Sequence, residues 1–193
     1  SLHDALPISN IIISSPYDEI EMRNLMYTAQ LPDQGPFVIR YPRGRGLICD
    51  WKQPFKPIVV GTGQCIKEGT DVAALSIGPI GNIAHEAIKL WEENSGKSAA
   101  LFDMRFLKPL DTELLHKVAK EYNRIITIEN GTVLGGLGSA VMEFMAENNF
   151  KPSIIRLGLP DQFIEHGSTP QLLHLCNIDK EAVIDALNRI VEQ

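Results

Sequence analysis

Residues 71–105 read DVAALSIGPIGNIAHEAIKLWEENSGKSAALFDMR, and this stretch decides the fold class. DVAALSIG reads as a strand. IGNIAHEAIKLWEEN then changes period, placing Ile83, Ala87, Ile88 and Leu90/Trp91 near one face of an amphipathic helix. SAALFDMR is another strand. Strands alternating with helices predict a mostly parallel sheet covered on both faces.

The same alternation runs toward the C-terminus. DTELLHKVAKEY is a helix capped by Asp111, RIITIEN a strand, GGLGSAVMEFMAENN a glycine turn into a helix, and SIIRLGLPD a strand. TPQLLHLC and DKEAVIDALNRIVEQ close the chain as helices. Toward the N-terminus, NIIISS is a β-branched run that suits a buried strand. SPYDEIEMRNLMYTAQL carries helix-start chemistry, with Ser15 as N-cap, Pro16 at the first helical position and Asp18 three residues after the cap. Ile20, Leu25, Met26 and Ala29 give it a partial apolar stripe, the turn LPDQGP follows, and FVIRY is a second strand. Residues 10–50 therefore read as the strand–helix–strand end of a parallel α/β domain, 51–56 as a Pro-containing linker, and 57–193 as a second α/β domain. No internal repeat or low-complexity tract interrupts this order.

The 193 residues carry a net charge of −6 and 44% hydrophobic composition, enough for one large core or two small ones. That charge argues against nucleic acid or an anionic membrane as partner, and no apolar stretch approaches the ~20 residues needed to span a bilayer. Cys49, Cys65 and Cys176 are odd in number and widely spaced, without a CxxC or Cys/His pattern, as expected of reduced thiols in a cytoplasmic protein. The opening SLHDALPI lacks the charged start, long apolar middle and cleavage site of a secretory signal. Back-translated as tcc-cta-cac-gac-gct-ctt-ccg-atc, it matches a sequencing-library adapter and Ser9 continues the frame. Residues 1–9 are therefore expected to be an artefact, with native sequence starting near Asn10 and continuing upstream of it.

Four stretches could carry chemistry. RYPRGRG (40–46) follows a strand, where ligands of open parallel sheets gather. Arg43 lies two residues beyond the predicted strand 37–41, Pro42 fixes the backbone before it, and Gly44 and Gly46 permit close approach or positive φ. Guanidinium forks match phosphate, so this is either a phosphate clamp or a solvated loop whose arginines pair with nearby acids. ENGTVLGGLGS (129–139) puts glycines 135, 136 and 138 before a helix. It loosely resembles a dinucleotide fingerprint, but the glycines come late and no ribose acid follows; tight helix–strand packing explains them better. In LFDMRFLKPLD (101–111), Asp103 and Arg105 alternate around Met104 and so share a face at a strand end. They suggest an ion-pair network beside a helix cap, or an interface. LPDQFIEHG (159–167) sets Asp161, Glu165 and His166 after a strand, open to acid–base work or a metal but lacking a second His at ligand spacing. His85, His116 and His174 fall on predicted helices as surface or boundary residues. No nucleophile elbow, Walker loop or zinc pattern is present.

SSPYDEIEMRNLMYTAQ, GPFVIRYPRGRG, FDMRFLKPLD, TIENGTVLGGLGSAV and LGLPDQFIEHG occur in an order and approximate spacing that resemble the 1-deoxy-D-xylulose-5-phosphate synthase family of the transketolase superfamily. The resemblance runs from Asn10 to Gln193. RYPRG together with DMRFxKPLD separates that family from transketolase and from the beta subunits of 2-oxoacid dehydrogenases. It implies the end of a thiamine-pyrimidine domain (10–50) and a whole transketolase C-terminal domain (57–193). It further implies a transferase that condenses pyruvate with glyceraldehyde 3-phosphate, releasing carbon dioxide, for isoprenoid, thiamine and pyridoxal synthesis. The cofactors would be thiamine diphosphate and magnesium, in a cytoplasmic homodimer with no nucleic-acid or membrane partner. Arg43 matches the family's arginine for the aldehyde's phosphate. The family's catalytic, thiamine-binding and magnesium-binding residues match nothing in this chain, which is therefore expected to be inactive alone. The alternatives are a transketolase-like enzyme with another acceptor, or a non-catalytic dimerisation or regulatory module.

Overall fold

In the computed structural model, residues 8–44, 46–47 and 52–193 are described. Most of the adapter-like segment, Arg45, Cys49 and the first linker residue Trp51 lie outside them. The chain opens with β1 (Ile12–Ser14), α1 (Glu19–Thr28) and β2 (Phe37–Ile39), a parallel pair with its crossover helix. β3 (Gln64–Lys67), β4 (Val72–Ile77), α2 (Ile80–Ser95), β5 (Ala99–Asp103) and β6 (Phe106–Lys108) follow. Then come α3 (Thr112–Glu121), β7 (Arg124–Thr132), α4 (Leu137–Glu147), β8 (Ser153–Leu159), α5 (Thr169–Leu175) and α6 (Lys180–Val191). The larger sheet has the order β3-β5-β4-β7-β8, parallel except for β3 at the edge. The smaller has the order β2-β1-β6, with β6 antiparallel to β1.

β4 sits at the centre of the larger sheet, and every residue in it is buried, which is why DVAALSI has no polar alternation. Its side chains divide by the pleat. Val72 and Ala74 join Ala99, Leu101, Ile126 and Ile128 under α2 and α6. Ala73, Leu75 and Ile77 join Phe102, Leu115, Val118, Leu137 and Phe144 on the side of α3 and α4. α2 buries Ile80, Ala84, Ala87, Ile88 and Trp91, a helical stripe in which Trp91 goes inside and Leu90 stays largely out. The Trp91 indole N–H donates to Asn188 Oδ1 at 2.8 Å, tying α2 to α6. Gly96, at φ 67°, ends the helix in the left-handed conformation glycine accepts readily.

The first helix departs from its sequence reading. Asp18, not Ser15, is the N-cap, and its carboxylate accepts the Glu21 N–H at 2.8 Å. Ser15 is buried and its hydroxyl donates to the Arg40 carbonyl at 2.9 Å, so it serves the strands. The inner face of α1 is Glu21, Leu25 and Thr28 rather than an apolar stripe, and Met26 is half exposed. That polar face receives the segment expected to be a simple linker. Lys56 N–H donates to Asn24 Oδ1 and, just beyond the expected linker, Ile58 N–H donates to Thr28 Oγ1. Phe55 stacks on Tyr27 at 5.3 Å and takes the Arg23 guanidinium over its ring at 4.5 Å. Among the described residues, Cys65 and Cys176 are free thiols, and no helix is long and apolar enough to cross a membrane.

Ile13 is fully buried in β1, between two strands from distant parts of the chain, and joins the α3/α4-side core. Ile13→Ala should lower unfolding free energy by about 2–5 kcal/mol, read from the denaturant midpoint. Its place between β2 and β6 predicts one cooperative transition rather than separate loss of residues 10–50.

Candidate functional site

The arginines at the end of β2 have different fates. Arg40 continues the strand, its N–H donating to the Ser14 carbonyl at 2.8 Å. Its guanidinium reaches across to the Asn130 carbonyl at 2.5 Å. Burial lowers the Arg40 pKa, and neighbouring Glu129 opposes that shift. Arg40 is therefore a structural clasp between β2 and the end of β7. Arg43 is exposed, and among the described residues no acid pairs with it. It lines a cleft of about 440 Å3 with Tyr17, Asp18, Glu19, Tyr41, Gly44 and Pro79. The two described arginines of RYPRGRG thus differ: Arg40 is engaged by the fold, whereas Arg43 faces solvent with no acid partner among the described residues.

The glycine-rich stretch resolves clearly. Glu129, 4% exposed, accepts the Leu137 N–H at Oε2 and the Gly138 N–H at Oε1, both at 2.9 Å. The N-terminus of α4 already holds an anion, the protein's own carboxylate. A Cβ at Gly136 would lie 2.0 Å from Glu129 Oε2, and one at Gly138 would lie 2.7 Å from Thr127 Oγ1. Close packing, not dinucleotide binding, accounts for these glycines.

Asp103 and Arg105 do not share a strand face, because β5 ends at Asp103 and Arg105 turns to φ 55°. Arg105 points instead to α1: its Nε donates to Glu21 Oε1 at 2.5 Å and its Nη2 donates to Gln64 Oε1. Glu21 Oε2 also accepts the Tyr17 N–H at 2.6 Å. Asp103 is fully buried, and its Oδ2 has no hydrogen-bond partner among the described residues. Burial first, and the adjacent Glu21 carboxylate second, raise the Asp103 pKa well above its ordinary value. Burial, with Asp103, Asp18 and Glu21 around it, likewise pushes Tyr17 up to about 12. Sequence reasoning found Asp103, Arg105 and the Asp111 cap but missed Glu21 and Gln64, because the pairing spans 84 residues from Glu21 to Arg105.

Asp161 is exposed, and Glu165 and His166 border a separate cleft of about 810 Å3 between the ends of β7 and β8 and α5, otherwise mainly lined by Leu159, Phe163, Leu172 and Leu173. No second histidine joins them there, since His174 pairs with Asp179 at 2.6 Å. His85 is half-buried on α2, and His116 packs edge-on against Phe144 and Phe150. No group of three or more His, Cys, Asp or Glu among the described residues could hold a metal ion.

A mostly parallel five-stranded sheet packed between helices places the chain in the α/β class. Within that class the chain belongs to the transketolase C-terminal domain family, whose pattern it matches over residues 61–183. It is 54% identical over 181 residues to the 1-deoxy-D-xylulose-5-phosphate synthase of Phocaeicola vulgatus, covering 94% of this chain and 29% of that protein. The Bacteroides fragilis synthase is 56% identical over 183 residues, 95% of this chain and 28% of the relative. This chain therefore spans under a third of the length of these relatives. Among solved structures it is similar to a split-gene transketolase in an inactive beta4 tetramer, with a TM-score of 0.77, 31% identity, and coverage of 95% of this chain and 58% of that one. A Pichia stipitis transketolase mutant, R525L, shares the fold at a TM-score of 0.72 but 16% identity, covering 99% of this chain and 26% of that one.

The buried acid has a consequence for stability. Because the folded pKa of Asp103 is raised, the native state keeps a proton that the unfolded chain releases near its ordinary value of about 3.9. Its contribution is fully present below that value and declines as pH rises through the folded pKa. Asp103→Asn, which keeps a neutral donor, should flatten this decline, measured as wild-type minus variant melting temperature from pH 4 to 8. An unchanged slope would show that Asp103 ionises normally.

Proposed function

We propose that this chain is part of a synthase that condenses pyruvate with glyceraldehyde 3-phosphate to 1-deoxy-D-xylulose 5-phosphate and carbon dioxide, and that Arg43 binds the phosphate of the aldehyde. The observation that carries this reading is the exposed Arg43 guanidinium, without an acid partner among the described residues, at a strand-end cleft. Similarity to the Phocaeicola vulgatus and Bacteroides fragilis synthases over 94–95% of the chain supports the substrate class. A phosphate dianion offers a guanidinium two parallel acceptors. Gly44 adds room: a Cβ there would meet nothing within 4 Å.

Residues 10–50 are assigned to the end of a thiamine-pyrimidine domain and 57–193 to the C-terminal domain of a cytoplasmic homodimer. Thiamine diphosphate supplies, when bound, the carbanion chemistry such a condensation requires. Among the described residues no three or more His, Cys, Asp or Glu side chains group together to hold a metal ion, and none is assigned to that cofactor's magnesium. Its site is assigned to the part of the relatives' length that this chain does not span, and no chemical step is placed on the residues present. Their part is to bind and orient the acceptor.

Two measurements test this. In the intact synthase carrying this chain, Arg43→Ala should raise KM for glyceraldehyde 3-phosphate about tenfold to hundredfold, the loss of one charge-assisted contact of about 1.5–3 kcal/mol. KM for pyruvate should stay near wild type, and an equal rise for both substrates would overturn the assignment. The 193-residue chain alone, given thiamine diphosphate and magnesium, should release no carbon dioxide from pyruvate; clear turnover would place the reaction centre within it.

A further inference from the structure

Arg43 sits between two anchors on the loop after β2. The first is Arg40, held by Ser14, Ser15 and Asn130. The second lies beyond it, where Glu19 Oε1 at the start of α1 accepts the Leu47 N–H at 2.6 Å. Gly46 packs on the same side chain. A Cβ at that position would fall 2.3 Å from Glu19 Oε1, 2.6 Å from its Cδ and 2.7 Å from its Cγ. Residues 46 and 47 therefore lie against the Glu19 side chain, and a methyl group at 46 must expel the carboxylate. Glu19 and Arg43 line the same cleft, although an acid near a phosphate site is unfavourable unless its charge is engaged elsewhere.

From this geometry we infer that Glu19 is a positioning residue for the acceptor's phosphate: its carboxylate fastens the far end of the 40–47 loop and so sets where the Arg43 guanidinium stands. The inference rests on the assignment of Arg43 to the phosphate. A tether at each end limits the conformations the loop must give up when the anion arrives, which is how preorganisation raises affinity. The Leu47 N–H directs Glu19 Oε1 toward the backbone of the loop.

The test uses the intact synthase carrying this chain and two acceptors, glyceraldehyde 3-phosphate and unphosphorylated glyceraldehyde. Glu19→Ala should raise KM for the phosphorylated aldehyde about tenfold, with little change in KM for glyceraldehyde or pyruvate. Glu19→Gln, whose amide oxygen still accepts from Leu47, should restore most of that loss. Gly46→Ala should reproduce the Glu19→Ala pattern, and it provides the test if Glu19→Ala fails to fold. In an Arg43→Ala background, Glu19→Ala should add little, because it acts through the guanidinium. If Arg43→Ala is selective for the phosphorylated aldehyde but Glu19→Ala and Gly46→Ala are not, the positioning role is overturned and the Arg43 assignment stands. Additive effects of the two substitutions overturn it as well. If Arg43→Ala shows no such selectivity, the phosphate assignment itself fails.

Discussion

Strand β1 has both edges occupied: β2 runs parallel on one side, β6 runs antiparallel on the other, and the Ser15 N–H continues the contact to the Arg105 carbonyl at 2.9 Å. This pairing brings the first part of the chain onto the second and fixes which ends meet. β1 and β2 deliver their carboxyl ends beside the carboxyl end of β4, where Gly78 presses on Ser15. A Cβ at Gly78 would be 2.3 Å from Ser15 Oγ, and its φ of 79° suits glycine. Pro79 follows and lines the Arg43 cleft. Ligands of parallel sheets collect where carboxyl ends of strands open, and here two sheets open at one place.

The polar groups buried at that junction specify geometry more than they add stability. Glu21 accepts from Arg105, Gln64 and Tyr17, so its carboxylate is well supplied with donors. Removing one partner of such a pair is costly, while a well-packed apolar replacement often is not. The pair therefore discriminates against other dockings of α1 on the β5 end. Arg40 does the same on the far side of β1, through a carbonyl rather than an acid. With both contacts in place, α1 and the loop after β2 have little freedom to rotate against the larger sheet.

The central sheet was legible because its signals are local. The apolar run of β4, the period of α2 and the Asp111 cap each depend on neighbours within a few residues. What escaped depends on distant partners. β6 is three residues long and exists as a strand only because β1 lies beside it. β3 is a four-residue edge strand held by β5. Ser15 looked like a helix cap from its sequence position, yet its hydroxyl was claimed by the Arg40 carbonyl 25 residues away. The site was legible as a stretch but not as roles, since no local feature of RYPRGRG distinguishes an arginine that will meet Asn130 from one that will face solvent.

That division of labour explains the composition of the stretch. Its two glycines answer different constraints. Gly46 is required by the chain itself, because Glu19 fills the space where a Cβ would go. Gly44 meets no such neighbour, so packing among the described residues does not demand it, and its bare backbone leaves the cleft open beside Arg43. Pro42 holds φ near its fixed value, which stiffens the segment between the Arg40 anchor and the exposed guanidinium. On the proposed reading of Arg43, stiffness on one side, open space on the other and a fastened far end would together hold a single surface arginine at a defined point. A flexible arginine on an untethered loop would lose more freedom on meeting an anion and hold it correspondingly less well.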